Sequence, residues 1–169
     1  MRVAIRVVLL IPLLLAAETV AQQEDPDPQS ATAFCTFADG NEISVRYNNS
    51  VAGSKQEPRN GGVWAPGGAP LTLFTQSVIA IHNVQIPVGA YSLYAIAGKK
   101  AWTLIVNKNV KAGSPYDEKQ DLVRAPMEIG QLSQPVKPLE VSFAHIAPKQ
   151  CSLRIYYGKT GAFVEFTEK

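Results

Sequence analysis

Histidine and cysteine, which carry much of protein chemistry, are scarce in this sequence. The 169 residues include two histidines, His82 and His145, and two cysteines, Cys35 and Cys151. A catalytic metal site normally takes three protein ligands, with histidines or thiolates at short fixed spacings. No HxH, HxxxH or HExxH pattern is present, and both histidines fall in predicted strands in phase with apolar residues. We therefore predict two structural histidines, no metal site and no cofactor.

The sequence also lacks the short motifs of common catalytic sites. It has no GxSxG nucleophile elbow, and Gly67-Gly68 is not followed by the GK[ST] of a phosphate loop. Asp117, Glu118 and Asp121 are close enough in sequence for an acid–base pair. A lysine, Lys119, lies among them and an arginine, Arg124, follows them, however, which is typical of a solvated turn. We predict no catalytic residue.

Neither charge nor helical periodicity stands out. The formal net charge is +2, and a nearly neutral surface offers no electrostatic footprint for nucleic acid or anionic lipid. Beyond the N-terminus, no segment of 10–12 residues repeats apolar side chains at the 3.6-residue helical period. These absences exclude a helical bundle and argue against a nucleic-acid partner.

The one long apolar segment lies at the N-terminus. Arg2 and Arg6 precede the apolar run Val7–Leu15, and Thr19-Val20-Ala21 supplies small residues for signal peptidase. The run is far shorter than the ~20 residues of a membrane-spanning helix. We predict a cleaved signal at residues 1–21, export to the periplasm or the medium, and no stable membrane anchor afterwards; the alternative is an N-terminal core helix.

After the signal, a polar segment broken by prolines precedes the folded part. Residues 22–31 include Asp25-Pro26-Asp27-Pro28, a composition typical of a flexible leader. The remaining residues, 32–169, have the length of one domain.

Short segments rich in β-branched and aromatic residues, separated by turn residues, make up most of this domain. The predicted strands are Phe34–Ala38, Glu42–Tyr47, Val78–His82, Ala90–Ile96, Ala101–Val106, Leu122–Ala125, Leu139–His145, Cys151–Tyr157 and Ala162–Phe166. Asp39-Gly40-Asn41 favours a tight turn in the first hairpin. Pro126 is expected to interrupt the sixth strand. Gly158–Gly161 is expected to form a turn that leads into the last strand. Eight or nine such strands predict an all-β fold, a single antiparallel β-sandwich or open barrel.

The two cysteines fall in the first and the second-to-last predicted strands, each in the apolar phase of its strand. Two inward cysteines in an exported chain indicate a disulfide between Cys35 and Cys151. The alternative is a pair of buried thiols or a redox site, although no CxxC spacing or basic cluster favours it.

Asn49–Pro70 is the longest stretch without a strand pattern, and a loop of this length is usually functional or mobile. It holds Trp64 together with Arg59 and Asn60. An aromatic side chain near polar donors is typical of a binding edge. A lone Trp also serves to cover the edge of a core, so both interpretations of Trp64 stay open.

Several blocks occur here in the order found in one bacterial family. They are Trp64 in the glycine-rich loop, Pro87–Leu93, Trp102–Lys108, Tyr116-Asp117, Asp121–Pro126 and the strand around Phe143. On these blocks the chain, from about Phe34 to Phe166, resembles the domain of unknown function 2911. The resemblance implies export and a compact β-rich domain, with the two cysteines marking a subgroup; it implies no particular activity, cofactor or partner. Typical members carry a WRTGAN-like loop, whereas this chain has Trp64-Ala65-Pro66-Gly67-Gly68-Ala69, without the Arg and Asn.

Our leading hypothesis is a non-enzymatic binding or envelope-associated domain for an unknown small polar, glycan or peptide ligand. The candidate ligand-binding residues are Trp64, Arg59, Asn60, Asp117, Asp121 and Arg124. A hydrolase-like enzyme with carboxylates Asp117 and Asp121 is the alternative, and a purely structural envelope protein is the third. A single cleft lined by Trp64, Asp117, Asp121 and Arg124 would support a shared site. The oligomeric state is left open.

Overall fold

A computed structural model of the chain describes residues 30–49 and 61–169. The predicted signal, residues 1–21, most of the predicted leader, and the candidates Arg59 and Asn60 lie outside the described residues. Ser30 and Ala31, at the end of the predicted leader, open the first strand. Within the described part of the chain, no helix is long and apolar enough to cross a membrane.

The described residues form ten strands, all paired antiparallel, which confirms the all-β fold class. The strands are β1 Ser30–Thr36, β2 Glu42–Asn48, β3 Val63–Trp64, β4 Leu71–Thr75, β5 Ile79–Ile81, β6 Val84–Ile86, β7 Gly89–Ile96, β8 Trp102–Asn107, β9 Asp121–Ala147 and β10 Gln150–Glu168. One-turn 3₁₀ helices occupy Pro66–Gly68 and Glu118–Gln120. Eight strands are short, as expected, but β9 and β10 are much longer than any predicted strand.

The strands are hydrogen-bonded in the order β1-β2-β4-β7-β8-β9-β10-β5-β6, and β3 pairs with the end of β7. The sheet is not closed. It folds over on itself so that β1 packs against β9, and a Cys35–Cys151 disulfide joins β1 to β10. This confirms the predicted disulfide. The two layers enclose one apolar core, which includes Ile43, Val45, Leu73, Leu93, Leu104, Leu139, Leu153 and Phe166.

The first hairpin forms where the sequence predicted it. The Asp39 carboxylate accepts hydrogen bonds from the backbone N–H (3.0 Å) and side-chain amide (2.7 Å) of Asn41. The bond from the Asn41 backbone lowers the pKa of Asp39. Gly40 has φ of 91°, a value that glycine adopts without strain.

Pro126 was expected to interrupt a strand, and this was wrong, because β9 continues through it to Ala147. Pro126 pairs with Thr103 of β8. Its carbonyl oxygen faces Nε2 of His82, 3.4 Å away in the turn between β5 and β6, rather than a group of β8. In an antiparallel ladder the N and the C=O of one residue face the same way. The proline nitrogen therefore removes no hydrogen bond to β8.

Gly158 was expected to begin a turn, but it is instead a bulge inside the continuous strand β10. Gly158 has φ of 57°, and the pairing register with β9 shifts on either side of it. Before the bulge Arg154 and Tyr156 face outward; after it the outward side chains are at odd positions, including Phe163 and Glu165. Because the alternation of inward and outward side chains changes phase across this irregularity, a single face of β10 stays outside along its whole length.

The hairpin of β9 and β10, called the ribbon below, bends back on itself. Lys149 lies in the turn just before β10 and Glu168 ends that strand, yet the Glu168 N–H donates to the Lys149 carbonyl at 2.8 Å. Gln150 and Glu165 are also hydrogen-bonded through their side chains. The bend coincides with the register shifts around Gly158, where β9 contributes more residues than β10. It brings the tip of the ribbon back to the end of the chain.

Two further expectations need correction. The stretch from Asn49 to Pro70 is not without structure, because β3 and a 3₁₀ helix lie within it. His82 is not in phase with a strand; it is exposed in the two-residue turn between β5 and β6, with φ of 50°. His145 lies in β9 as predicted, but its side chain is also exposed.

Candidate functional site

Trp64 is part of the core. Only 6% of its surface is exposed, and its ring makes edge contacts with Trp102 (centroids 5.6 Å apart) and Tyr157 (5.0 Å). Strand β3 fixes it there by pairing with β7. Such a position suits a side chain that covers the core edge, the second of the two interpretations.

The glycine-rich segment after Trp64 is packed tightly. Gly67 has φ of 76°, and a Cβ on it would lie 2.5 Å from the backbone oxygen of Asn48. No other residue type fits that space without movement of the backbone. This glycine therefore has a structural role in fastening the loop to the end of β2.

Asp121 is the centre of a polar network at the junction of β8 and β9. Its Oδ2 accepts from the Tyr116 hydroxyl (2.6 Å) and from Nε of Arg124 (2.8 Å). Its Oδ1 accepts from Nδ2 of Asn107 (2.8 Å), which also donates to the Asp117 carbonyl (2.8 Å). Arg124 further donates to the Tyr116 hydroxyl (2.7 Å) and pairs with Glu118 (3.1 Å).

The electrostatics of this network follow from burial and from Asp121. Burial, together with the hydrogen bond to the Asp121 carboxylate, raises the pKa of Tyr116 to about 12. Burial and the same negative charge raise the pKa of Tyr94, whose ring contacts that of Tyr116 with centroids 4.9 Å apart. The hydrogen bond to Asp121 raises the pKa of Arg124. The network therefore further stabilises the neutral form of the two tyrosines and the charged form of Arg124.

The structure brings Asp117, Asp121 and Arg124 together but does not add Trp64 to them. Trp64 packs on Trp102, which begins β8, whereas Asp121 bonds to Asn107, which ends it. Five residue steps along a strand span about 16 Å. The four residues thus do not share one cleft. Since both oxygens of Asp121 are occupied, the network is suited to holding the segment between β8 and β9 in place.

A different surface has the shape of a binding site. Three depressions of about 290, 270 and 290 Å³ follow the outward face of the ribbon. Phe163 lines both the first and the second, while Tyr156 and Leu132 line both the first and the third. Because neighbouring depressions share side chains, we treat them as one site and call it the ribbon trough.

The trough combines aromatic rings with polar groups of several kinds. The Tyr156 ring rests on Gly161, where a Cβ would lie 3.0 Å from the ring. Phe163 is 36% exposed. The polar side chains of the trough are His82, Glu128, Gln131, Ser133, Gln134, Glu140, Ser142, Arg154, Glu165 and Thr167. Amides, hydroxyls, carboxylates and a guanidinium thus surround two partly exposed rings.

No metal chemistry is indicated for this surface. The described residues contain no group of three or more His, Cys, Asp or Glu side chains placed to hold a metal ion. The trough can instead bind a ligand by ring contacts and hydrogen bonds.

Sequence reasoning missed the trough, although part of the signal was present. The alternation of Cys151, Leu153 and Ile155 already places Arg154 and Tyr156 on the outward face. The missing information was the bulge at Gly158, which puts Phe163 on that same face. A glycine between two alternating segments of opposite phase is the signal that would have revealed it.

The family model DUF2911, described as a protein of unknown function, matches residues 29–166. No curated protein and no solved structure matches the chain.

Proposed function

We propose that this chain, which belongs to the DUF2911 family of proteins of unknown function, is an exported non-enzymatic domain whose ribbon trough binds a short neutral glycan. The observation that carries the proposal is the row of three adjoining depressions lined by aromatic and polar side chains.

Export is supported by the N-terminal sequence and by the disulfide. Residues 1–21 combine a basic start, an apolar run and a cleavage pattern. Cys35 and Cys151 are bonded and buried, and disulfides persist in oxidising compartments such as the periplasm.

A glycan suits the trough better than a wholly apolar ligand. Sugar rings present C–H faces that pack on aromatic rings, and hydroxyls that bond to amides and carboxylates. Tyr156 and Phe163 supply the rings, while Gln131, Gln134 and Glu140 supply side-chain donors and acceptors. Because the depressions adjoin in a row, several linked sugar units can be bound at once.

The trough is tested by binding measurements on the mature, oxidised protein. An array of neutral oligosaccharides identifies a ligand, and titration calorimetry measures its affinity. We expect Tyr156→Ala and Phe163→Ala each to weaken binding by about tenfold or more, because each removes a ring contact worth at least ~1.4 kcal/mol.

Phe74→Ala is the matched control, since it removes an exposed aromatic ring of β4, outside the trough. Its affinity for the neutral glycan should equal that of the wild type. The proposal fails if no neutral oligosaccharide binds, or if the two trough variants bind as tightly as the control.

The enzyme alternative is distinguished in the same experiment. Both oxygens of Asp121 already accept hydrogen bonds from protein groups, which does not favour it as an acid or base. Chromatography of the bound oligosaccharide after prolonged incubation should recover it intact. If the wild type instead releases shorter sugars, and Glu128→Gln or Glu165→Gln abolishes that release, the result would favour a hydrolase.

A further inference from the structure

A second surface lies on the outward face of β1, β2, β4 and β7, away from the ribbon trough. The strand register aligns Phe34, Ser44, Phe74 and Ala90 in one row across the four strands. Phe34 is 61% exposed and Phe74 is 39% exposed. Because Ser44 lies on the strand between them, the two rings stand about two strand spacings, or ~10 Å, apart.

The neighbouring row is polar. It aligns Thr32, Arg46, Thr72 and Ser92 on the same four strands, and of these only Ser92 is buried. Arg46 and Thr72 line a depression of about 180 Å³ together with Ser30, Tyr47, Asn48 and Pro70. The face therefore places hydroxyls and a guanidinium directly beside the two rings.

Arg46 links the two rows. Its guanidinium carbon lies 5.5 Å from the centre of the Phe74 ring, a cation–π distance. Among the residues the structure describes, no carboxylate pairs with it. Such an arginine, held against an exposed ring, is available to bind a carboxylate from a ligand.

We propose that this surface, which we call the aromatic platform, binds an acidic glycan of uronate type. The sugar rings pack on Phe34 and Phe74, and a ring carboxylate pairs with Arg46. The depression beside Arg46 receives the hydroxyls of the same sugar, with Thr72 and Ser30 at its edge. The platform is a site additional to the ribbon trough and does not depend on it.

A protein partner fits this surface less well. The centre of a protein interface is usually a contiguous apolar area with a polar rim. Here Ser44 separates the two rings, and the polar row lies two residues further along each strand. Apolar rings alternating with hydroxyls and a cation match the alternating C–H faces, hydroxyls and carboxylates of a uronate chain.

The probes are oligogalacturonate, alginate and hyaluronan oligosaccharides, with methyl-esterified oligogalacturonate as the uncharged match. Binding to the mature oxidised protein is measured by titration calorimetry at 50 and 300 mM salt. We expect at least one carboxylated probe to bind, and binding to weaken when salt is raised because the Arg46 pair is screened. Dextran sulfate tests whether a sulfate replaces the carboxylate.

Three variants assign the contacts. Phe34→Ala and Phe74→Ala should each weaken binding of the carboxylated probe by about tenfold or more. Arg46→Gln should weaken it similarly and abolish the preference for the free acid over the ester. All three side chains lie on the outer face, so melting temperatures should stay close to that of the wild type.

Tyr156→Ala is the control, and it should bind the uronate probe normally. The proposal is overturned if no carboxylated probe binds, if Arg46→Gln keeps the acid preference, or if dextran sulfate alone binds. If Tyr156→Ala loses uronate binding while Phe34→Ala retains it, the uronate site would be assigned to the ribbon trough. Because the trough is tested with neutral glycans, either proposal can fail without the other.

Discussion

Asp121 shows how one side chain can organise a junction between strands. Its two oxygens accept three hydrogen bonds, from Asn107, Tyr116 and Arg124. Asn107 is 1% exposed and uses both its amide hydrogens and its oxygen, the latter for Asn109 N–H at 2.9 Å. Buried polar groups stabilise a fold only when all are satisfied. This network therefore fixes the connection between β8 and β9.

Replacing Tyr116 with Phe tests the network at a single hydroxyl. The change removes a charge-assisted hydrogen bond to Asp121, so the free energy of unfolding at pH 7 should fall by about 1.5–3 kcal/mol. Chemical denaturation followed by Trp fluorescence measures it. The control Tyr156→Phe, outside the network, should cost less than about 0.5 kcal/mol. Equal losses in the two variants would contradict the role of the network.

The raised pKa of Tyr116 adds a pH dependence with a definite sign. Below pH 10 both the folded and unfolded chains keep the phenol proton, so Tyr116 contributes no slope. Between pH 10 and about 12 the unfolded chain loses that proton while the folded chain retains it. The unfolded state then binds fewer protons, and the free energy of unfolding decreases as pH rises. Tyr116→Phe should show a shallower decrease than the wild type over this interval.

At the scale of elements, the ribbon of β9 and β10 determines what faces outward. Cys151, Leu153 and Ile155 enter the core before Gly158, and after it Val164 and Phe166 do so. This change of phase occurs at the irregular pairing around Gly158, whose φ is positive. Without it, one half of β10 would turn its apolar side chains toward solvent.

Deleting Gly158 should therefore be far more damaging than substituting it. The deletion removes the change of phase, so the second half of β10 must either expose Val164 and Phe166 or lose its pairing with β9. We expect loss of soluble protein, or a melting temperature lower by more than about 10 °C, since two buried side chains account for several kcal/mol.

Gly158→Ala keeps the bulge and adds only the strain of a positive φ, about 1 kcal/mol. Gly130→Ala is the matched control on β9, because its φ is not positive and its Cβ would meet nothing within 4 Å. Its stability should match that of the wild type. A deletion variant as stable as Gly158→Ala would refute the importance of the phase change.

At the scale of the whole molecule, the disulfide joins the two layers of the fold. Cys35 lies in the first strand and Cys151 in the last, 116 residues apart. Both are buried members of the apolar core. The bond therefore connects β1, which terminates one end of the sheet, to the ribbon.

The double variant Cys35→Ser/Cys151→Ser should be less stable than the oxidised protein by about 4–5 kcal/mol, the chain-entropy cost of opening a loop of this length. Denaturation midpoints with and without reductant measure the same quantity in the wild type. Reductant should leave the double variant unchanged. An oxidised protein no more stable than the reduced one would contradict this role.

The sequence predicts those features of the molecule that depend on residues close together along the chain. The first hairpin, β2, β7 and β8 follow from local alternation and from turn residues such as Asp39-Gly40-Asn41, and the structure confirms them. The disulfide between Cys35 and Cys151 also followed from the sequence, because with only two cysteines, both facing inward, each has a single possible partner. Family membership rested on blocks of sequence, and the match over residues 29–166 bears it out.

Tertiary structure alone decided the rest. Pro126 can continue a strand when its nitrogen does not face a hydrogen-bonding partner. Whether it does depends on how distant strands are placed around it, which the local sequence does not show. Trp64 is buried because two distant rings, Trp102 and Tyr157, close over it. Phe34 and Phe74 align because the register of three strands aligns them. Local sequence sets which way a side chain faces within its strand. Cross-strand register and the packing of the layers determine which side chains lie beside it. Both proposed binding surfaces depend on this register and packing.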